Sequence, residues 1–143
     1  MSIEENKAIV RRFYEEMNQR NLAVFDEMVA ADCVYHGMPP ELPATRESVR
    51  QMMAATFAAF PDYEFIVEDV IAEGDRVAHL VTEVGTHQGA FMGIAATGKR
   101  VTSSAMYIVR LTGGMVVETW MVGDTLGFYQ QLGALPAVNL VPA

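Results

Sequence analysis

A chain of 143 residues, 51% of them hydrophobic, has the size of one domain spanning residues 1–143 and enough apolar material for a core without disulfides. Its net charge of −8 opposes binding to nucleic acid or to an anionic membrane, because an acidic surface is repelled by both. The single cysteine, Cys33, allows no intrachain disulfide, and there is neither an apolar leader at Ser2-Ile3-Glu4-Glu5 nor an uninterrupted apolar run of about 18 residues, so the expected setting is cytoplasmic.

Ser2 and Glu5 form a capping-box pattern, and Val10, Phe13, Tyr14 and Met17 then recur at helical spacing. This predicts a helix from about residue 3 to 20. After a break at Asn21, the residues Leu22, Phe25, Met28 and Val29 continue the period as a second, shorter helix. Val34-Tyr35-His36 reads as a short extended piece, ended by Gly37 and the turn-rich Pro39-Pro40-Glu41-Leu42-Pro43. Thr45 can cap a third helix, in which Val49, Met52, Met53, Thr56, Phe57 and Phe60 share a face before Pro61-Asp62 stops it.

From residue 63 the period changes to two. Tyr63, Phe65 and Val67 alternate with Glu64, Ile66 and Glu68, and Glu73-Gly74-Asp75 is a hairpin turn. Val77 to Val84 is a strand, Gly89 to Arg100 a glycine-containing connection, and Val101 to Leu111 a long strand. Gly113-Gly114 turns into a partner strand from Met115 to Val122. Asp124 to Leu132 is a short helix or turn, followed by an apolar tail. Helices first and sequential hairpins later indicate an α+β fold: an antiparallel sheet curled into a cone against three N-terminal helices, with an apolar interior suited to a small molecule.

Three stretches resemble a known family. They are Asn6-Lys7-Ala8-Ile9-Val10-Arg11-Arg12-Phe13-Tyr14; Gly85-Thr86-His87-Gln88-Gly89 through Arg100-Val101; and Val117-Glu118-Thr119-Trp120-Met121-Val122-Gly123-Asp124 with Gln130-Gln131-Leu132-Gly133. Together they resemble the SnoaL-like polyketide cyclases, or ester cyclases, of the nuclear-transport-factor-2-like superfamily. The resemblance implies intramolecular aldol-type ring closure of polyketide esters without a cofactor or metal. It also implies that Asp124, four residues beyond the signature tryptophan, is the general acid/base. The chain departs from the family at Leu80, where many members carry arginine, and at Ala95-Ala96, where proline is common.

The candidate residues have bland readings too. Trp120, Val122 and Asp124 share strand parity, so they are expected on one side, where apolar surroundings would raise a carboxyl pKa towards useful acid/base chemistry. Asp124 can equally cap a helix beginning at Thr125. His36 could pair with Asp124 or orient a carbonyl, or could simply bond loop backbone. His87 is a substrate-contact candidate or a brace for its own turn. Tyr35, Phe57, Phe60, Leu80, Met106, Tyr107 and Trp120 are candidate pocket walls, and several are equally plain core. With Leu80 facing in, His79 should face outward or into a dimer interface. Arg110 and Glu118 should form a cross-strand ion pair.

The three histidines lack metal-ligand spacing, Cys33 reads as a buried thiol, and no phosphate-binding glycine motif occurs. The expected activity is therefore acid/base chemistry on a small hydrophobic carbonyl compound. A ketosteroid-isomerase-like isomerisation and a non-catalytic hydrophobic carrier are the alternatives, and epoxide hydrolysis lacks its Asp–Arg–Asp set. A homodimer is expected, through the outer sheet face and the tail from Leu132 to Val141.

Overall fold

The Ser2 hydroxyl accepts a bond from the Glu5 amide at 3.1 Å and starts α1 (Ile3–Asn18). The helix ends two residues short of its expected limit because Arg20 takes a positive φ of 65°. The second predicted helix is a single turn, α2 (Val24–Met28), since Val29 is already extended as the first residue of β1 (Val29–His36). Thr45 caps α3 (Arg46–Ala59) by accepting from the Ser48 amide. Four strands come next: β2 (Glu64–Glu73), β3 (Arg76–Thr86), β4 (Arg100–Thr112) and β5 (Met115–Gly123), and then α4 (Thr125–Gln131). This computed structural model describes residues 1–136 and residue 141. Within the apolar tail expected at a dimer interface, residues 137–140 lie outside the described residues.

The strands form one sheet in the order β1-β5-β4-β3-β2. The hairpin-linked strands are antiparallel, and β1 returns parallel to β5 along its edge. Register shifts between Val67 and Asp69 and between Arg110 and Leu111 add local twist and help the open sheet curl. Its concave face carries Val77 and Val81 of β3 with Val109 and Leu111 of β4. These pack against Val10, Tyr14 and Met17 of α1 and Val24, Phe25 and Met28 of α2 in one core.

The convex face is unusually apolar. Val34, Ile71, Met106, Ile108 and Val122 are all exposed there. Arg110 and Glu118 face each other across the β4–β5 hairpin at 3.2 Å, as their spacing suggested. Among the described residues no helix is long and apolar enough to cross a membrane.

Gly37, just past β1, has φ 89°, and a Cβ there would collide with the Met121 carbonyl of β5. Gly37→Ala is therefore expected to lower unfolding stability by about 2 kcal/mol or more, read from the urea midpoint. An unchanged midpoint would show that this crossing tolerates a side chain.

Candidate active site

Between α1, α3, the end of β1 and the concave face of β3, β4 and β5 lies a partly open apolar cavity of about 120 Å³. This is close to the roughly 150 Å³ that accommodates one benzene ring, and well under the roughly 300–1,000 Å³ of ordinary ligand sites. Six of the ten methionines line it: Met17, Met28, Met38, Met52, Met53 and Met121. Their unbranched side chains can change rotamer and enlarge the space without moving backbone.

The polar groups in this wall are few and specific. Tyr14, from the core face of α1, and His79, from the concave face of β3, both reach the cavity. The Tyr14 hydroxyl and His79 Nε2 are 2.9 Å apart. His79 is 3% exposed, and its Nδ1 has no hydrogen bond of good geometry. Burial pushes the imidazole pKa down to about 4, with the Val77 backbone opposing this only in part. Burial, and secondarily the negative charge of Glu83, raises the Tyr14 phenol well above its usual value, so it stays protonated. Tyr107, also in the wall, lies flat on the His79 ring with centroids 5.2 Å apart and planes 7° apart. Its hydroxyl donates to Glu83 Oε1 at 3.2 Å. At the far side, Tyr35 and Thr119 also line the cavity.

This placement corrects several expectations. Asp124 is exposed, is not part of the cavity wall, and caps α4 by accepting from the Gly127 amide at 2.9 Å. A Cβ at Gly127 would push the capping carboxylate aside. Trp120 and Val122 do share parity, but on the outer face of the sheet. In β5 it is Val116, Thr119 and Met121 that line the cavity, while Trp120 registers with the exposed Ile108. On that outer face Trp120 stacks on His36 at 5.1 Å, under the Arg76 guanidinium. His36 borders the cavity, but its Nε2 pairs with Glu118 at 2.8 Å, not with Asp124.

Leu80 and His79 are exchanged relative to expectation. Leu80 registers with the exposed Met106 on the outer face, and neither lines the cavity, whereas His79 faces inward. The departure at Leu80 therefore removes no cation from the pocket. Phe57 and Phe60 are core residues outside the cavity wall. His87 is fully buried against Phe60, and its Nδ1 accepts from the Thr97 amide at 3.2 Å, so it braces its loop. Of the candidate site residues, Tyr35, His36 and Tyr107 border the cavity. Tyr14, His79 and Glu83 were missed as a functional group. Among the described residues no cluster of three or more His, Cys, Asp or Glu has metal-site geometry.

A family model described as SnoaL-like polyketide cyclase matches residues 8–132. Three solved structures, all with putative assignments, share the fold. A hydroxylase, AclR from Streptomyces galilaeus, is 32% identical with a TM-score of 0.84, and the match covers 94% of this chain and 100% of that one. A polyketide cyclase, IdmH from Streptomyces antibioticus, is 31% identical with a TM-score of 0.77, covering 90% and 98%. A SnoaL-like polyketide cyclase from Jannaschia sp. CCS1 is 25% identical with a TM-score of 0.80, covering 95% and 97%. No curated protein matches the chain.

The buried imidazole makes folding acid-sensitive. Its pKa is about 4 when folded and 6.5 when free. The unfolded chain takes up the proton first, so stability falls as pH drops from 6.5 towards 4, by about 3 kcal/mol from this group. Urea melts of the wild type and of His79→Gln should diverge in slope across that window. Parallel profiles would mean that His79 titrates as freely in the fold as outside it.

Proposed function

The chain belongs to the SnoaL-like polyketide cyclase family, and on that premise we propose that it is an acid/base enzyme closing a ring in a small hydrophobic carbonyl compound by intramolecular aldol chemistry, with Tyr14 and His79 as its proton-handling pair. The observation that carries this reading is the 2.9 Å contact between the Tyr14 hydroxyl and His79 Nε2 in the wall of an otherwise apolar cavity. Low polarity strengthens a hydrogen bond aimed at developing charge, and a proton-transfer group must be within reach of the reacting atoms.

The proposed cycle conserves its proton. The Tyr14 oxygen takes the acidic C–H proton of the bound carbonyl compound as its own proton passes to His79 Nε2. The resulting enolate carbon attacks the second carbonyl and forms the new C–C bond. The alkoxide so formed recovers a proton from Tyr14, which is resupplied by His79. A buried imidazolium with its pKa near 4 is a ready donor for that return. The same first step would serve an isomerisation.

A second reading, a carrier for hydrophobic small molecules, draws on the exposure of Asp124, which leaves the family's expected acid/base outside the cavity. We also propose that two copies pair through the convex face, since its row of exposed apolar residues would otherwise remain in water. Sedimentation at micromolar concentration should then report a dimer, and a monomer would contradict this pairing.

Ethyl benzoylacetate in D2O at pD 6 tests the chemistry, with loss of the α-proton NMR signal as the readout. The protein should accelerate exchange, and Tyr14→Phe or His79→Asn should reduce that acceleration by about 100-fold or more. Asp124→Asn keeps a capping oxygen and should leave it unchanged. Binding of the ester without accelerated exchange would favour the carrier.

A further inference from the structure

Glu83 is a costly residue to place where it sits. It lies on the concave side of β3, at the same strand parity as Val77, His79 and Val81. None of the ion pairs among the described residues includes it. It keeps some exposed surface, yet desolvation of its carboxyl raises its pKa, and hydrogen bonds from Tyr107 and then Tyr63 only partly offset that. A carboxylate held by two phenols and no cation is a poor device for stability.

Its position suggests a use. The Tyr107 hydroxyl that donates to Glu83 belongs to the same ring that stacks, offset and near parallel, on His79. On its other side His79 holds Tyr14. Glu83, Tyr107, His79 and Tyr14 thus form one continuous polar and stacked series running from the sheet interior to the cavity.

We propose that Glu83 is a positioning residue for the cavity pair: by accepting from Tyr107 it fixes the ring against His79 and supplies the negative charge that offsets the imidazolium formed when Tyr14 passes its proton on. This rests on the proposed role of Tyr14 and His79. A phenol donating to a carboxylate has a more electron-rich ring, and an electron-rich face attracts a cation stacked on it. Glu83 and His79 are four residues apart on one strand, about 13 Å between Cα atoms, a separation at which opposite charges in a protein interior shift an equilibrium by roughly tenfold.

The groups facing this series are few. Tyr63 stands beside Glu83 from the turn before β2, and Tyr14 faces His79 from α1. The Arg20 guanidinium, the nearby cation at the end of α1, is engaged with the Pro61 and Tyr63 carbonyls.

Two readouts on the full-length protein test the proposal. The first needs no substrate: the His79 ring 15N shifts, followed as the pH is lowered from 8, should show a step as Glu83 titrates, its carboxyl being held above the usual value by desolvation. That step should vanish in Glu83→Gln and shrink in Tyr107→Phe. The second is ethyl benzoylacetate exchange. Glu83→Gln should lower kcat about tenfold with KM within twofold, and Glu83→Asp should restore part of it. Ring shifts blind to Glu83 in a variant with native circular dichroism would overturn the proposal. A preserved 15N step with no exchange in the wild type would instead sink the acid/base function and leave the coupling standing.

Discussion

The cavity exists because α1 is pinned to the sheet at a fixed height. The Asn18 amide meets the Phe65 backbone twice, accepting from its N–H at 2.8 Å and donating to its carbonyl at 2.9 Å. β2 is an edge strand, so this side chain does there what a sixth strand would do. One turn earlier on the same helix face, Tyr14 bonds His79. These fixings, with Val10 and Met17 between and beside them, set the distance of α1 from the sheet. That distance leaves open a space that a closer approach would have filled with core.

The interior holds groups that an ordinary core would exclude. Tyr14, Tyr107, His79 and Glu83 are arranged beside an apolar space, and no ion pair among the described residues includes any of them. Each is desolvated, and the neutral form of the imidazole and the protonated forms of the phenols are favoured accordingly. A fold selected only for stability would replace such a set with aliphatic side chains of similar volume. Its retention beside a cavity fits the general tendency of perturbed titratable groups to gather where chemistry occurs.

The order and type of the elements could be read from the sequence because each carries a strong period or a turn signal. Tyr14 on α1 belongs to a clear helical stripe, and Gly113-Gly114 marks its hairpin without ambiguity. Which face of the sheet is inner could not be read in the same way. Both faces of β5 are apolar, Thr119 and Met121 within and Trp120 and Val122 without, so alternation has no contrast to report. In β3 an inward Leu80 puts His79 outward by alternation, although Val77 and Val81 share the parity of His79 and mark the inner side. One misplaced face carried Asp124, Trp120, Leu80 and Met106 with it. Asp124 shows how a family position and a helix cap coincide in sequence, since both ask only for a carboxylate after the strand.

The methionine wall bears on selectivity. Thioether side chains yield in many directions, so the cavity's shape discriminates weakly among apolar bodies of similar bulk. A missing methylene alters affinity little in such a surround, whereas an unmet buried hydrogen-bonding group penalises the wrong molecule heavily. Tyr14 and His79 form a rigid polar post in that yielding wall, fixed by helix and strand. For a guest in this cavity, choice would then depend on whether the molecule presents an oxygen to that post, and much less on its outline.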